Sequence, residues 1–191
     1  QVGDIGRMVD EFSSFARMPR PTVQAEDAKE LCQQALFLQR NGNPEIRYVA
    51  TLPDRSVPLL CDRRQVSQVL TNILKNSAEA IDGRDAPSGT TLPPGEIALT
   101  LRDDGDTVRI VVEDNGRGLP KEGRERLTEP YMTTRSKGTG LGLAIVKKIM
   151  EDHGGLLALD DREGGGARIS LIFRRDAKEV ASVRSHASAA Q

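Results

Sequence analysis

Residues 114–118 read Asp114-Asn-Gly-Arg-Gly118, and about two dozen residues later the chain reads Gly138-Thr-Gly-Leu-Gly-Leu143. The first segment closes an apolar strand-like run with one carboxylate and two glycines. The second is a glycine-rich turn that opens an apolar helix. A carboxylate can accept a hydrogen bond from the exocyclic amine of a base. Backbone N–H groups at a helix N-terminus can cradle phosphates, because the helix dipole favours anions there. The pair suggests a nucleotide site.

Each segment also has a plainer reading. A loop of Asp, Asn and Gly is ordinary turn chemistry. The G-x-G-x-G spacing is neither the dinucleotide fingerprint nor the G-x-x-x-x-G-K-[ST] phosphate loop, and a flexible connector has the same composition. A long helix over 63–82 adds a third feature. Val66, Leu70, Ile73, Leu74, Ser77 and Ile81 form its buried side, whereas Asn72 and Asn76 lie four apart on one face and Glu79 continues that stripe. Asn favours caps and turns over helix interiors. Two on one face are either solvated amides or ligands, and a carboxamide oxygen suits Mg²⁺. Residues 120–139 hold few aliphatics and many charges, with Thr133, Thr134, Arg135, Ser136 and Lys137 together. They read as a lid that brings cations to phosphates, or as a solvated loop.

The rest of the chain supplies a scaffold. Residues 4–18 carry Ile5, Met8, Val9, Phe12 and Phe15 at helical spacing, and Pro19 and Pro21 end that helix. Its stripe is expected to pair with another helix, with Met18-Pro19-Arg20-Pro21 as a linker. A second helix is expected over 24–40, with Ala28, Leu31, Cys32, Ala35, Leu36 and Leu38 on its apolar side. A strand follows over 45–52, in which Ile46, Tyr48, Ala50 and Leu52 alternate, and a short strand over 57–61. Strands at 96–102 and 107–113 flank the hairpin signal Asp103-Asp104-Gly105-Asp106. A helix over 139–152 ends at Gly154-Gly155, with His153 as its C-terminal cap. Strands at 156–161 and 167–174 come next, and residues 176–191 read as a disordered Ala/Ser-rich tail. Most strands should pair with sequence neighbours. The order predicts an α+β two-layer sandwich: a mixed, mainly antiparallel sheet with helices on one face.

Composition narrows the functional classes. With 27 basic and 28 acidic residues, net charge is −1, so no bulk electrostatic argument favours nucleic acid or an anionic membrane. Cys32 and Cys61 are isolated thiols without metal-knuckle spacing and are expected to be reduced. No apolar run approaches the roughly 18–20 residues of a membrane span. His153 and His186, the two histidines, form no Ser/His/Asp or Cys/His arrangement.

Taken together, the segments resemble the ATP-binding catalytic domain of sensor histidine kinases, within the GHKL ATPase and kinase superfamily. Gln68-Val-Leu-Thr-Asn72-Ile-Leu-Lys-Asn76-Ser-Ala78 is similar to the N box, and Asp114–Gly118 to the first glycine box. Glu129-Pro-Tyr-Met-Thr-Thr134 is similar to the F box, Gly138–Leu143 to the second glycine box, and Gly164-Gly-Gly-Ala-Arg-Ile-Ser-Leu171 to the last. The boxes stand in the family's order within residues 23–175. Phe12-Ser-Ser-Phe-Ala-Arg-Met-Pro19 resembles the end of the second helix of a dimerisation and phosphotransfer domain, with wording like nitrogen-regulation sensors of the NtrY kind.

The resemblance implies the Bergerat fold and a Mg·ATP site. Asn76 would bind Mg²⁺, with Asn72 beside it and Lys75 near the phosphates. Asp114 would read the adenine amine in a pocket shaped by Gly116 and Gly118. Arg135 or Lys137 would meet the γ-phosphate. The backbone of Gly140, Leu141 and Gly142 would hold the phosphate chain. Glu79, Ala80, Leu119, Thr133, Thr134, Gly138, Thr139, Leu143 and Ala167 would also line the nucleotide site. Where the family's ATPases place a water-activating Glu, this chain has Asn72, which favours transfer to a side chain over hydrolysis. Ala167 stands where Thr or Ser often supports adenine, so weaker base binding is expected. The phosphoacceptor His is expected on a helix before residue 1. The HRD, DFG and VAIK signatures of the other kinase class are missing. A response regulator and a homodimer formed through the helical bundle are the implied partners. The implied location is cytoplasmic, with any membrane attachment made elsewhere in the protein. A GHKL-type ATPase and a non-catalytic nucleotide-binding or dimerisation module are the alternatives.

Overall fold

The computed structural model describes residue 13 and residues 15–86, 91–132 and 140–175. Strand β1 (Gln24–Asp27) leads into helix α1 (Ala28–Gly42), strands β2 (Arg47–Thr51) and β3 (Pro58–Cys61), and helix α2 (Arg63–Asp82). Strands β4 (Glu96–Asp103) and β5 (Thr107–Asp114), a 3₁₀ turn (Arg124–Thr128), helix α3 (Gly142–Asp152), and strands β6 (Leu156–Asp161) and β7 (Ala167–Arg174) follow.

Five strands form one sheet in the order β2-β4-β5-β7-β6, parallel only between β2 and β4. β1 and β3 make a separate antiparallel ribbon. Sequence-neighbour pairing therefore holds for β4–β5 and β6–β7. The expected dominance of such pairs is corrected by β2–β4 and β5–β7, which close over intervening helices.

Strand alternation sets the two faces. Ile97, Leu99 and Leu101, Val108, Ile110 and Val112, and Ile169, Leu171 and Phe173 all point into one core shared with the three helices. Glu96, Arg102, Arg109, Glu113, Arg168 and Arg174 alternate with them on the other face. In α2, Val66, Leu70, Ile73 and Leu74 are almost wholly buried. Each such side chain contributes about 1.5–3 kcal/mol. The two mid-helix asparagines cost up to about 0.7 kcal/mol each relative to Ala, so burial decides that this segment is helical.

Three local expectations are corrected. Residues 24–27 are strand rather than helix, because they pair with β3 and Asp27 then caps α1 through a bond from the Lys29 amide. Leu38, expected on the apolar side, is 64% exposed, as is Phe37 at 65%. The helix stripe ends at Leu36. Ala50 is exposed as well, at the open edge of β2. Among residues 1–18, Phe15 and Met18 pack against the domain core; Ile5, Met8, Val9 and Phe12 lie outside the described residues, as does the tail. Both cysteines are buried and free, and burial pushes each thiol up to about 12. No helix among the described residues is long and apolar enough to cross a membrane.

Candidate functional site

Asp114 ends β5 at the centre of the sheet and is 2% exposed. Its Oδ1 accepts the Gly116 amide at 2.9 Å and the Ala167 amide at 3.4 Å. Burial pushes the carboxyl above its ordinary range, while the Gly116 amide, the Ser77 hydroxyl, the Ala167 amide and the charge of Arg162 hold it back. A buried carboxylate supported by neutral donors, with no direct ion pair among the described residues, is poised to accept from a ligand.

The loop after Asp114 lies directly on α2. The Arg117 amide donates to the Ala80 carbonyl at 3.0 Å. A β-carbon on Gly116 would stand 2.7 Å from both the carbonyl carbon and Cβ of Ala80, so only glycine fits. Asn115 clamps the loop from the other side: its Oδ1 accepts the Glu96 amide and its Nδ2 donates to the Pro94 carbonyl, both at 2.8 Å. Leu119 is half-buried against the core. Ala80 and Ala167 are buried. Gly116 and Ala167 thus meet the one buried acceptor, and Ala80 backs the glycine.

The other half of the site joins α2 to α3. Asn72 donates through Nδ2 to the Gly142 carbonyl at 3.4 Å. The carboxamide of Asn76 lies beside Gly142, where a β-carbon would come within 3.6 Å of its Nδ2. Helices α1 and α2 are capped by Asp27 and Asp62, but the cap position of α3, Leu141, makes no side-chain cap hydrogen bond. The N-terminus of a helix is where backbone amides and the helix dipole favour an anion. Gly140, at φ +70°, brings this turn against Tyr131, itself at φ 67°. A β-carbon there would come within 2.6 Å of the Tyr131 carbonyl carbon.

Helix α2 is the ruler between the halves. From Asn72 to Ala80 is about 12 Å along its axis, the scale separating a base from its phosphates. The fold thus brings together Asn72, Asn76, Ala80, Asp114, Gly116, Gly118, Leu119, Gly140, Leu141, Gly142, Leu143 and Ala167. Lys75 is exposed and sits 4.0 Å from Glu79, one turn on. Helix α3 begins at Gly142 rather than at 139. Thr133, Thr134, Arg135, Lys137, Gly138 and Thr139 lie outside the described residues.

Sequence reasoning missed Ser77, Asn115 and Arg162 as parts of this site. Ser77 reads as core by its helical spacing, and a hydroxyl among aliphatics on a buried helix face is the signal that marks it. Arg162 is bound to Glu96 at 3.0 Å across the sheet edge, and nothing local announces that contact. His153 is the cap it was expected to be, its amide reaching the Ile149 and Met150 carbonyls. No cluster of three or more His, Cys, Asp or Glu suited to a metal occurs among the described residues. A metal here would rest on few protein ligands, as Mg²⁺ commonly does beside phosphates, and the Asn76 carboxamide is a hard donor beside the first turn of α3.

Comparison with known proteins follows the same lines. The chain is 53% identical over 182 residues to the nitrogen regulation protein NtrY of Azorhizobium caulinodans, covering 92% of this chain and 22% of that protein. It therefore spans under a quarter of that relative's length. The catalytic domain of the histidine kinase ThkA is similar at 28% identity and TM-score 0.68, over 80% of this chain and 95% of that one. Full-length ShkA, solved in complex with AMPPNP, is similar at 25% identity and TM-score 0.73, over 90% of this chain and 36% of that one. A family model described as histidine kinase-, DNA gyrase B- and HSP90-like ATPase matches residues 61–177, the span from the end of β3 through β7 that carries both halves of the site. The chain belongs to the family of histidine kinase-, DNA gyrase B- and HSP90-like ATPases.

Proposed function

We propose that this chain is the ATP-binding catalytic module of a two-component sensor histidine kinase of the NtrY kind. It binds Mg·ATP and positions the γ-phosphate for transfer to a His outside residues 1–191. An Asp of a response regulator then receives the phosphoryl group. The observation that carries the reading is the pairing, along one helix, of the buried acceptor Asp114 with the Asn72–Gly142 junction at the start of α3. The likeness to NtrY and to a kinase solved with AMPPNP supports it.

In this reading Asp114 accepts from the adenine amine, and Ser77 and the amides of Gly116 and Ala167 hold its carboxylate in place. Ala80, Gly116, Gly118, Leu119 and Ala167 enclose the base and exclude water. The amides at the start of α3 hold the phosphates, and Asn72 fixes that turn through Gly142. Asn76 would hold Mg²⁺, which neutralises phosphate charge when bound. Arg135 and Lys137 are assigned to the γ-phosphate, with Thr133 and Thr134 beside them, and Lys75 and Glu79 border the phosphate end. With Asn72 in place of a water-activating carboxylate, catalysis is positioning and charge neutralisation, as is general for phosphoryl transfer. Residues 1–19 belong to the helical bundle that dimerises in the whole protein, and the module works on the cytoplasmic side.

The test is calorimetric titration with AMPPNP with and without Mg²⁺, followed by phosphorylation of the phosphoacceptor helix supplied in trans. Binding by the unaltered chain, its loss in Asp114→Ala, and loss of phosphorylation in Asn76→Ala are expected. Equal binding by Asp114→Ala would sink the proposal. Steady hydrolysis without any acceptor would move the reading to an ATPase.

A further inference from the structure

The N-terminus of α2 reads Asp62-Arg-Arg-Gln65, the spacing of a capping box. In such a box the first side chain takes amides of the first turn, and the fourth residue's side chain returns to the first residue's N–H. Asp62 performs its half, accepting at Oδ1 from Arg64 at 3.0 Å and Gln65 at 3.2 Å. Gln65 does not. Its Nε2 donates instead to the Pro19 carbonyl at 2.9 Å. The N–H of Asp62 goes to Nε2 of His153 at 3.0 Å, and Nδ1 of that ring faces the Ile149 carbonyl at 2.8 Å. Nδ1 thus carries the proton and Nε2 accepts.

The second carboxylate oxygen of Asp62 accepts the Thr22 amide at 2.8 Å. Both members of the box therefore grip residues 19–22, the segment that joins the N-terminal helical residues to the nucleotide domain. Phe15 and Met18 pack against the core just ahead of it. The grip leaves Oε1 of Gln65 buried without a donor, although the residue is only 6% exposed. Such an acceptor is costly, and closing the box on the Asp62 N–H would satisfy it. The cap thus has two competing arrangements. In one, His153 takes the Asp62 N–H and Gln65 holds the linker. In the other, Gln65 takes the N–H and gives up the Pro19 carbonyl, so that Asp62 alone holds the linker, at Thr22.

We propose that Gln65, with Asp62 and His153, is a latch for the linker, and that Gln65 is a positioning residue which sets where the preceding helix stands relative to the nucleotide site. The location suits that role. Eleven residues beyond Gln65 on the same helix is Asn76, and His153 ends the helix whose other end is Gly142. The kinetic consequence rests on the kinase reading; the latch itself does not.

The experiment uses the complete kinase with Gln65→Leu, Gln65→Glu and His153→Phe. Glu at this position closes the box and favours the helix, yet cannot donate to the Pro19 carbonyl, so Gln65→Glu keeps the fold while opening the latch. His153→Phe leaves the Asp62 N–H for Gln65 and loosens the hold on Pro19 by the opposite route. In all three, hydrogen exchange at the Thr22 amide should accelerate by about tenfold or more. The autophosphorylation rate at saturating Mg·ATP should change by about tenfold, while AMPPNP affinity stays at the unaltered value. Unchanged Thr22 exchange in Gln65→Glu and His153→Phe would overturn the latch. A fall in rate matched by a fall in nucleotide affinity would also overturn it, since Gln65 would then serve the site's structure alone. If the unaltered protein fails to autophosphorylate, the kinase reading fails, and Thr22 exchange still decides the latch.

Discussion

Gly116 and Ala80 are so close that a β-carbon on Gly116 would lie 2.7 Å from that of Ala80, although 36 positions separate them in sequence. The contact seats the loop after Asp114 on α2, the helix that also carries Asn72 and Asn76. Gly116→Ala must push the loop off the helix. Overpacking of this kind costs about 1–3 kcal/mol. The variant should melt earlier than the unaltered chain in a thermal scan and bind AMPPNP weakly. An unchanged melting temperature would show that the loop moves freely on α2.

Asn72→Ala removes the donor to the Gly142 carbonyl. One neutral hydrogen bond is worth about 1 kcal/mol, so AMPPNP affinity should fall by roughly fivefold as the first turn of α3 loosens. Titration calorimetry reads this directly. Asn72→Asp should be worse, since a carboxylate would face both a carbonyl and the bound phosphates.

Asp114 sets function against stability. Burial raises its folded-state carboxyl above the ordinary range. A group raised in this way adds stability in acid, below its unfolded value, and that contribution is lost as pH rises through the folded value. Once ionised, the buried carboxylate is thus a liability to the fold. Asp114→Asn should unfold no earlier than the unaltered chain at neutral pH. Its AMPPNP affinity should nonetheless drop by about 2 kcal/mol, roughly thirtyfold, for one charge-assisted bond. Early melting of Asp114→Asn would contradict this.

Asp62 has the opposite sign. Burial pushes its carboxyl up, but hydrogen bonds from the Thr22, Gln65 and Arg64 amides, with the charge of Arg64, outweigh that and leave it lowered. Its contribution is present above the unfolded carboxylate value and lost as pH falls through the folded one. Asp62→Ala should cost about 1 kcal/mol at neutral pH as a lost helix cap. The gap to the unaltered chain should narrow in acid. Urea unfolding at the two pH values measures both.

Much of the fold was legible because periodicity reports burial. The stripe of α2 and its ends at Arg63 and Asp82 follow from apolar residues at helical spacing. The hairpin β4–β5 follows from alternation around Asp103-Asp104-Gly105-Asp106. Residues 24–27 were misread because four residues leave too short a pattern to separate strand from helix, and pairing with β3 decided the matter. Leu38 was misread because apolar residues continue past the face that meets the core.

The sequence by itself determined the family and the kind of ligand. Box order, the carboxylate at the end of β5, the paired asparagines and the glycine turns are local chemistry that needs no partner to be recognised. Only the tertiary structure decided how those pieces share one site: that Ala80 receives the glycine loop, that Ser77 and Ala167 steady Asp114, and that Asn72 grips Gly142. It also decided that Gln65 leaves its own capping box to hold Pro19. These contacts join residues 46 to 91 positions apart in the case of the latch, through Gln65–Pro19 and Asp62–His153. Hydrogen bonds at such separations depend on how helices and sheet pack, and no local pattern encodes that packing.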